Sequence, residues 1–204
     1  VNGPVLRLNN TTNYQDYRVV ILPSARVVHA SNVTKIRAFC EAGGKVIVTT
    51  QVPCKSAEFG RDQEVAATVR ALFGDDLARL AKAEPYFKRT NAQGGAAYFV
   101  PTVSGPGLGA ALDDAIPVPD VRFAEPGPAV SPSEPVQSAA GSSAAGAATV
   151  RGMLSYLHKV KDGRHIYYVA NSTDDPVKTL ITIRSQRSLE RWNPHDGSSE
   201  PAET

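Results

Sequence analysis

The sequence predicts an α/β fold, a parallel sheet with flanking helices, followed by a small antiparallel β-sandwich segment. Three features predict it. Residues 17–50 (YRVVILPSARVVHASNVTKIRAFCEAGGKVIVTT) read as strand, helix and strand; residues 124–149 are dominated by Ala, Gly, Ser and Pro; and beyond 150 the apolar period changes from helical to two. The expected organisation is an α/β domain at 1–123, a linker at 124–149 and a β segment at 150–204.

Within the first domain, Arg18 to Leu22 is a β-branched run ended by Pro23, which cannot donate to a ladder. Ser31 is the expected N-cap of the helix that follows. Val33, Ile36, Phe39 and Cys40 place one apolar stripe against a sheet, and Gly43 supplies the left-handed stop. Lys45 to Thr50 returns as a buried strand. A unit of this length makes a parallel pair with a right-handed crossover.

Before that unit, Val1 to Leu8 is expected as a short strand or hairpin arm with an Asn2-Gly3 turn, and Asn9 to Asp16 as a polar connector. After it, Gln51 to Phe59 is a loop at the carboxyl edge of the sheet. Arg61 to Phe73 is a helix built on Val65, Val69 and Leu72, closed by Gly74, and Asp75 to Ala83 a further helical turn. Ala96 to Val103 is a third apolar strand. The turn Ser104-Gly105-Pro106-Gly107-Leu108-Gly109 leads into a short helix over Ala110 to Ala115. Its G-P-G-L-G spacing is not the dinucleotide fingerprint and no Walker lysine follows, so tight packing of the helix is preferred to a phosphate cradle. Pro117 to Phe123 is an extended exit.

Past the linker, Met153 to Val160 and Arg164 to Ala170 flank a tight turn at Lys161-Asp162-Gly163. Val177 to Arg184 alternates, with Val177, Thr179, Ile181 and Ile183 on one face. Ser188 to Trp192 is a fourth short strand, Asn193 to Gly197 turns out of it, and a polar tail follows.

Over 204 residues the net charge is +2 and 21% of residues are charged, with no basic cluster, which argues against a nucleic-acid partner. No apolar run approaches the ~20 residues that span a bilayer, and no signal peptide is visible. The chain begins at Val1, so a processed product or a piece of something longer is expected. Two cysteines define no disulfide framework. Cys40 falls on the apolar stripe and is expected as a buried thiol; Cys54 lies after the second strand, where open α/β sheets bind ligands.

No catalytic constellation stands out. Cys54 sits in V-P-C-K-S, and the preceding proline fits a nucleophile elbow poorly; its base would be His29 or a histidine beyond the linker. His29, His158, His165 and His195 show no metal-ligand spacing, so neither a metal nor a cofactor is expected. His158 and His165 face each other across the hairpin turn and read as hairpin surface residues. Asp113-Asp114 and Asp174-Asp175 are explained by a helix and a turn, not by an acid–base pair. Trp192, the single tryptophan, is a candidate sugar platform, with core or interface packing the preferred account.

The stretches NGPVLRL, YRVVILP, ASNVTKIRAFCEAGGKVIVTT, QVPCKSAEF, GGAAYFVPTVSGPGLGAAL and PVPDVRF, taken in this order, resemble the module that follows the catalytic barrel in large bacterial glycoside hydrolases of the α-L-rhamnosidase family 106 type. LSYLHKVKDGRHIYYVANST and LERWNPHDG are similar to that group's next segment, although Lys159 stands where arginine is usual and the linker is unusually rich in small residues. The resemblance implies a flavodoxin-like, class I glutamine amidotransferase-like domain without amidotransferase chemistry, then a β-sandwich. It carries over no catalytic residue, and it implies a secreted or periplasmic setting.

The expected function is therefore non-catalytic support of a glycoside hydrolase, bracing its barrel, substrate cleft or an oligomer interface, with the remainder of a larger chain as partner. The alternative is a stand-alone module binding carbohydrate or a small polar ligand at the strand ends near Pro23, with Ser24, Arg26, Gln51 and Cys54 as candidate contacts, alongside Trp192. A third reading makes Cys54 the nucleophile of an amidotransferase-like enzyme.

Overall fold

The computed structural model describes residues 3–7, 16–124, 153–185 and 188–202. The predicted linker, Ala124 apart, lies outside the described residues, as does most of the connector predicted at Asn9 to Asp16. Contacts divide the chain into Val1–Pro117 and Val118–Thr204.

The first unit opens with two antiparallel two-residue strands, β1 (Leu6–Arg7) and β2 (Asp16–Tyr17), tied by Arg7 Nε donating to Asp16 Oδ1 at 2.7 Å. Then come β3 (Val19–Pro23), β4 (Val27–Val28), α1 (Ala30–Glu41), β5 (Lys45–Thr49), β6 (Lys55–Ser56) and α2 (Asp62–Phe73). A 3-10 helix over Leu77–Lys82, β7 (Phe87–Thr90), β8 (Ala96–Val100) and α3 (Gly107–Ala115) complete it. The main sheet has the order β3-β5-β8-β7. β3, β5 and β8 run parallel, with Ile21 opposite Ile47 and Ile47 opposite Tyr98, and β7 lies antiparallel at one edge. The strand–helix–strand unit read from residues 17–50 thus forms its parallel pair.

Helices cover this sheet on both faces, which is why β8 (AAYFV) is buried along its whole length. Because side chains alternate along a strand, Val46, Val48, Ala97 and Phe99 meet Phe39 and Cys40 of α1 and Val69, Leu72 and Phe73 of α2 on one face. On the other, Ile47, Ala96, Tyr98 and Val100 meet Ala111 and Ala115 of α3. Phe73 stands edge-on to Phe99, centroids 6.4 Å apart. Each such fully buried side chain contributes about 2 kcal/mol of apolar transfer.

Several local expectations need correction. Ser31 is not the cap: α1 begins at Ala30 and His29 occupies the capping position without a side-chain bond. Gly43 does adopt the left-handed conformation, at φ +104°. The third strand stops at Val100, because Gly105 and Pro106 already prepare α3, which starts at Gly107 rather than Ala110. Phe87–Thr90 is a strand the sequence did not announce, since three of its four residues are exposed.

The second unit consists of β9 (Val121–Phe123), β10 (Leu154–Lys161), β11 (Arg164–Asn171), β12 (Ile181–Ile183), β13 (Glu190–Trp192) and β14 (Ser199–Pro201). They form three antiparallel pairs, β10–β11, β9–β12 and β13–β14. Asp162 and Gly163, both at positive φ, make the predicted hairpin turn. The strand expected over Val177 to Arg184 shrinks to Ile181–Ile183, the stretch that finds a partner in β9. The expected polar tail supplies β14. Overall the chain is mixed α/β.

Candidate functional site

Since β3 and β5 are parallel and in register from Val19 opposite Lys45 to Pro23 opposite Thr49, their carboxyl ends meet. Ser24 and Thr50, the next residue on each strand, both take left-handed φ values, 49° and 65°. Such values in non-glycine residues persist only where the surroundings enforce them. The enforcing bonds are Ser24 N–H to the Thr49 carbonyl at 3.2 Å and Thr50 N–H to the Val100 carbonyl at 2.8 Å. Gln51 Nε2 donates to the Ser24 carbonyl at 2.9 Å, so this amide ties the two strand ends together.

The candidate residues Arg26 and Cys54 are joined through the backbone, Cys54 N–H donating to the Arg26 carbonyl at 3.0 Å. The Cys54 thiol is exposed. His29, the base weighed for it, instead faces Glu58, Nδ1 to Oε1 at 3.6 Å. Hydrogen bonds thus link Gln51 to Ser24 and Cys54 to Arg26 beyond the ends of β3 and β5, while His29 is turned to Glu58.

At the carboxyl end of β8, a hollow of about 600 Å³ is lined by Glu84, Pro85, Thr102, Ser104 and Gly105. Gly107 is buried at its rim, and a Cβ there would stand 2.6 Å from the Pro85 carbonyl. Close helix packing thus explains the glycine-rich turn.

Trp192 belongs to the second unit, on β13, and is 67% exposed, so of the core or interface packing expected for it the core half does not hold. Its Nε1–H donates to Glu190 Oε2 at 3.2 Å. The loop after it is held by its own side chains. Asn193 Nδ2 donates to Asp196 Oδ2 at 2.9 Å, and Ser198 donates from N and Oγ to Asp196 Oδ1 at 2.8 and 2.6 Å. These donors, the Ser198 hydroxyl first, hold the Asp196 carboxyl below the usual range. A concavity of about 420 Å³ opens here, lined by Arg191, Trp192, Asn193, Pro194, Ser198 and Glu200.

Sequence reasoning missed two clusters. Asp120 joins His158 Nδ1 through Oδ2 at 3.1 Å and pairs with Arg184 through Oδ1, while His158 Nε2 meets His165 Nδ1 at 2.9 Å. His158 is no hairpin surface residue: only 9% of its side chain is exposed, and its ring stacks on Tyr167 at 4.3 Å. In the first unit, Asp114 pairs with Lys88 at 2.6 Å beside the buried Tyr98. Burial, then the neighbouring carboxylate, pushes the Tyr98 phenol well above its usual range. Neither Asp120 nor Asp114 carries a local signal, because their partners lie far along the chain. Among the described residues no three His, Cys, Asp or Glu side chains form a metal-binding group, and no helix is long and apolar enough to cross a membrane.

No protein-family model, curated protein or solved structure matches the chain.

Proposed function

We propose that this chain is a non-catalytic accessory region of a glycoside hydrolase of the α-L-rhamnosidase-like kind. Its first unit is a flavodoxin-like domain that braces a catalytic barrel or an oligomer interface. The second is a β-sandwich segment bordering the substrate cleft. The ordered motifs of the sequence and the helices on both faces of a largely parallel sheet support this assignment.

One observation carries it. Among the described residues of the second unit only Val121 is buried, while Leu180, Leu157 and Tyr168 are 78%, 63% and 57% exposed. Leu157 and Tyr168 stand opposite each other on one face of the β10–β11 hairpin, with Ile166 beside them and also exposed. A two-stranded hairpin is marginal alone, and clustered apolar surface of this kind marks an interface. The test is co-expression with the (β/α)₈ barrel of such a glycosidase. The two should co-purify, and Leu157→Ser with Tyr168→Ser should separate them. Turnover of an aryl α-L-rhamnoside by this chain alone would overturn the assignment.

The second reading, a stand-alone module with its site at Ser24, Arg26, Gln51 and Cys54, draws on the two left-handed residues at those strand ends. Calorimetric titration with neutral and acidic sugars decides it: heat that disappears in Arg26→Ala supports it, and no heat from any sugar removes it.

A further inference from the structure

The concavity around Trp192 has a different character from the apolar hairpin face. We propose that it is a binding subsite for a neutral pyranose sugar, with the indole of Trp192 as the stacking platform. The choice of a sugar rests on the glycoside-linked reading above; the geometry of the site does not.

Four features of the site point the same way. The indole is anchored at its edge by Glu190, so the ring is oriented without being covered, and its residue is largely exposed. A pyranose presents a flat patch of C–H groups on one side and hydroxyls around its rim, which suits an aromatic face bordered by hydrogen-bonding groups. Such groups are present: Arg191 and Glu200 form an ion pair across β13 and β14, Nε to Oε1 at 2.8 Å, and both line the concavity with Asn193 and Ser198. A guanidinium beside a carboxylate offers donors and acceptors to neighbouring hydroxyls at once. The loop from Asn193 to Ser198 is closed by four bonds from or to the Asn193 and Asp196 side chains and by two backbone bonds, Asn193 N–H to the Ser198 carbonyl and Gly197 N–H to the Asn193 carbonyl, so the rim is preorganised before any ligand arrives.

Charge selects the sugar class. Glu190 holds the indole N–H, and Glu200 is paired with Arg191 at the border of the concavity, so two carboxylates stand here against one guanidinium. A uronate or sulfated sugar meets net repulsion there, and a neutral one does not.

Trp192 is the only tryptophan in the chain, so its emission reports on this site alone. The experiment is a fluorescence titration of the full chain with L-rhamnose, D-xylose, maltotriose and D-glucuronate. A saturable change with at least one neutral sugar, in the millimolar range of a shallow exposed site, and none with glucuronate is the expected result. Arg191→Ala keeps the reporter and should weaken that sugar about tenfold, the size of one charge-assisted contact. Trp192→Ala, at an exposed position, should abolish the calorimetric heat. No saturable change with any neutral sugar, or heat unchanged in Trp192→Ala, overturns the subsite. Co-purification with the barrel reads the accessory role separately, so either proposal can fail while the other stands.

Discussion

Glu58 caps a helix that begins 28 residues before it: its Oε2 accepts from the backbone N–H of Ala30 at 2.8 Å, where α1 has no cap of its own. Ser56 Oγ donates to the same oxygen at 2.6 Å. These two bonds, the serine first, hold the Glu58 carboxyl down to about 2. A carboxylate at a helix N-terminus also meets the positive end of the helix dipole.

The pH dependence follows in sign. A depressed folded-state pKa gives stability that is present above the unfolded value of 4.5 and lost as pH falls through about 2. Glu58→Gln should therefore lower the thermal midpoint at pH 7 and flatten its decline between pH 4.5 and 2. Thermal melts across that window check it; parallel curves for the two proteins would contradict the capping role.

Gly94 and Gly95 fail differently when substituted. Gly94 sits at φ +79° with open space where a Cβ would go, so Gly94→Ala should cost about 1 kcal/mol, the left-handed penalty alone. A Cβ on Gly95 would land on the Cys40 carbonyl at the end of α1. That carbonyl also accepts from Asn91 Nδ2 at 2.8 Å, so backbone has to move and Gly95→Ala should cost about 3 kcal/mol. Denaturant melts of the two single variants decide the order.

The two thiols should separate by reactivity. Cys54 is exposed, whereas Cys40 is buried between α1 and the sheet, and burial pushes its thiol up. A thiol-specific disulfide reagent should modify Cys54 rapidly in the native chain and reach Cys40 only on unfolding. Equal rates at both would contradict the packing of α1.

What the sequence disclosed and what it concealed divide along physical lines. The stripe Val33, Ile36, Phe39 and Cys40 was legible because its spacing matches the helical period, and β5 because a strand covered on both faces is apolar at successive positions. The cap of α1 was not legible, since Ser31 satisfies every local rule while a remote carboxylate takes the role. Val177 to Leu180 alternates as a strand should and yet lies outside the β9–β12 ladder, touching it only where Leu180 and Thr179 bond Ala124; pattern announces a strand, but a ladder makes one. The exposure of Trp192 turns on the same point, because its hairpin has no described layer over it.

The last prediction concerns such a remote partnership. His158 reads as an exposed hairpin residue, but Asp120, 38 residues earlier, reaches its Nδ1 at 3.1 Å, and the same carboxylate pairs with Arg184 next to β12. The cluster thus fastens the hairpin to the β9–β12 pair, beside the contact of Phe123 with Tyr156 at 6.3 Å. Removing Asp120 leaves Nδ1 of a mostly buried imidazole without its partner, and removing His158 leaves Oδ2 of a mostly buried carboxylate without its partner while Oδ1 keeps Arg184, so each single change should cost about 1–3 kcal/mol, the first the more. Removing both leaves nothing stranded between them. The double variant Asp120→Ala, His158→Ala should therefore be less destabilised than the sum of its parts, by about 1 kcal/mol or more. His165→Ala, at the exposed end of the relay, should cost less than either. A cycle of equilibrium unfolding measurements tests this: additive effects would mean that the hairpin is held by its own ladder and that the Asp120 contact contributes nothing.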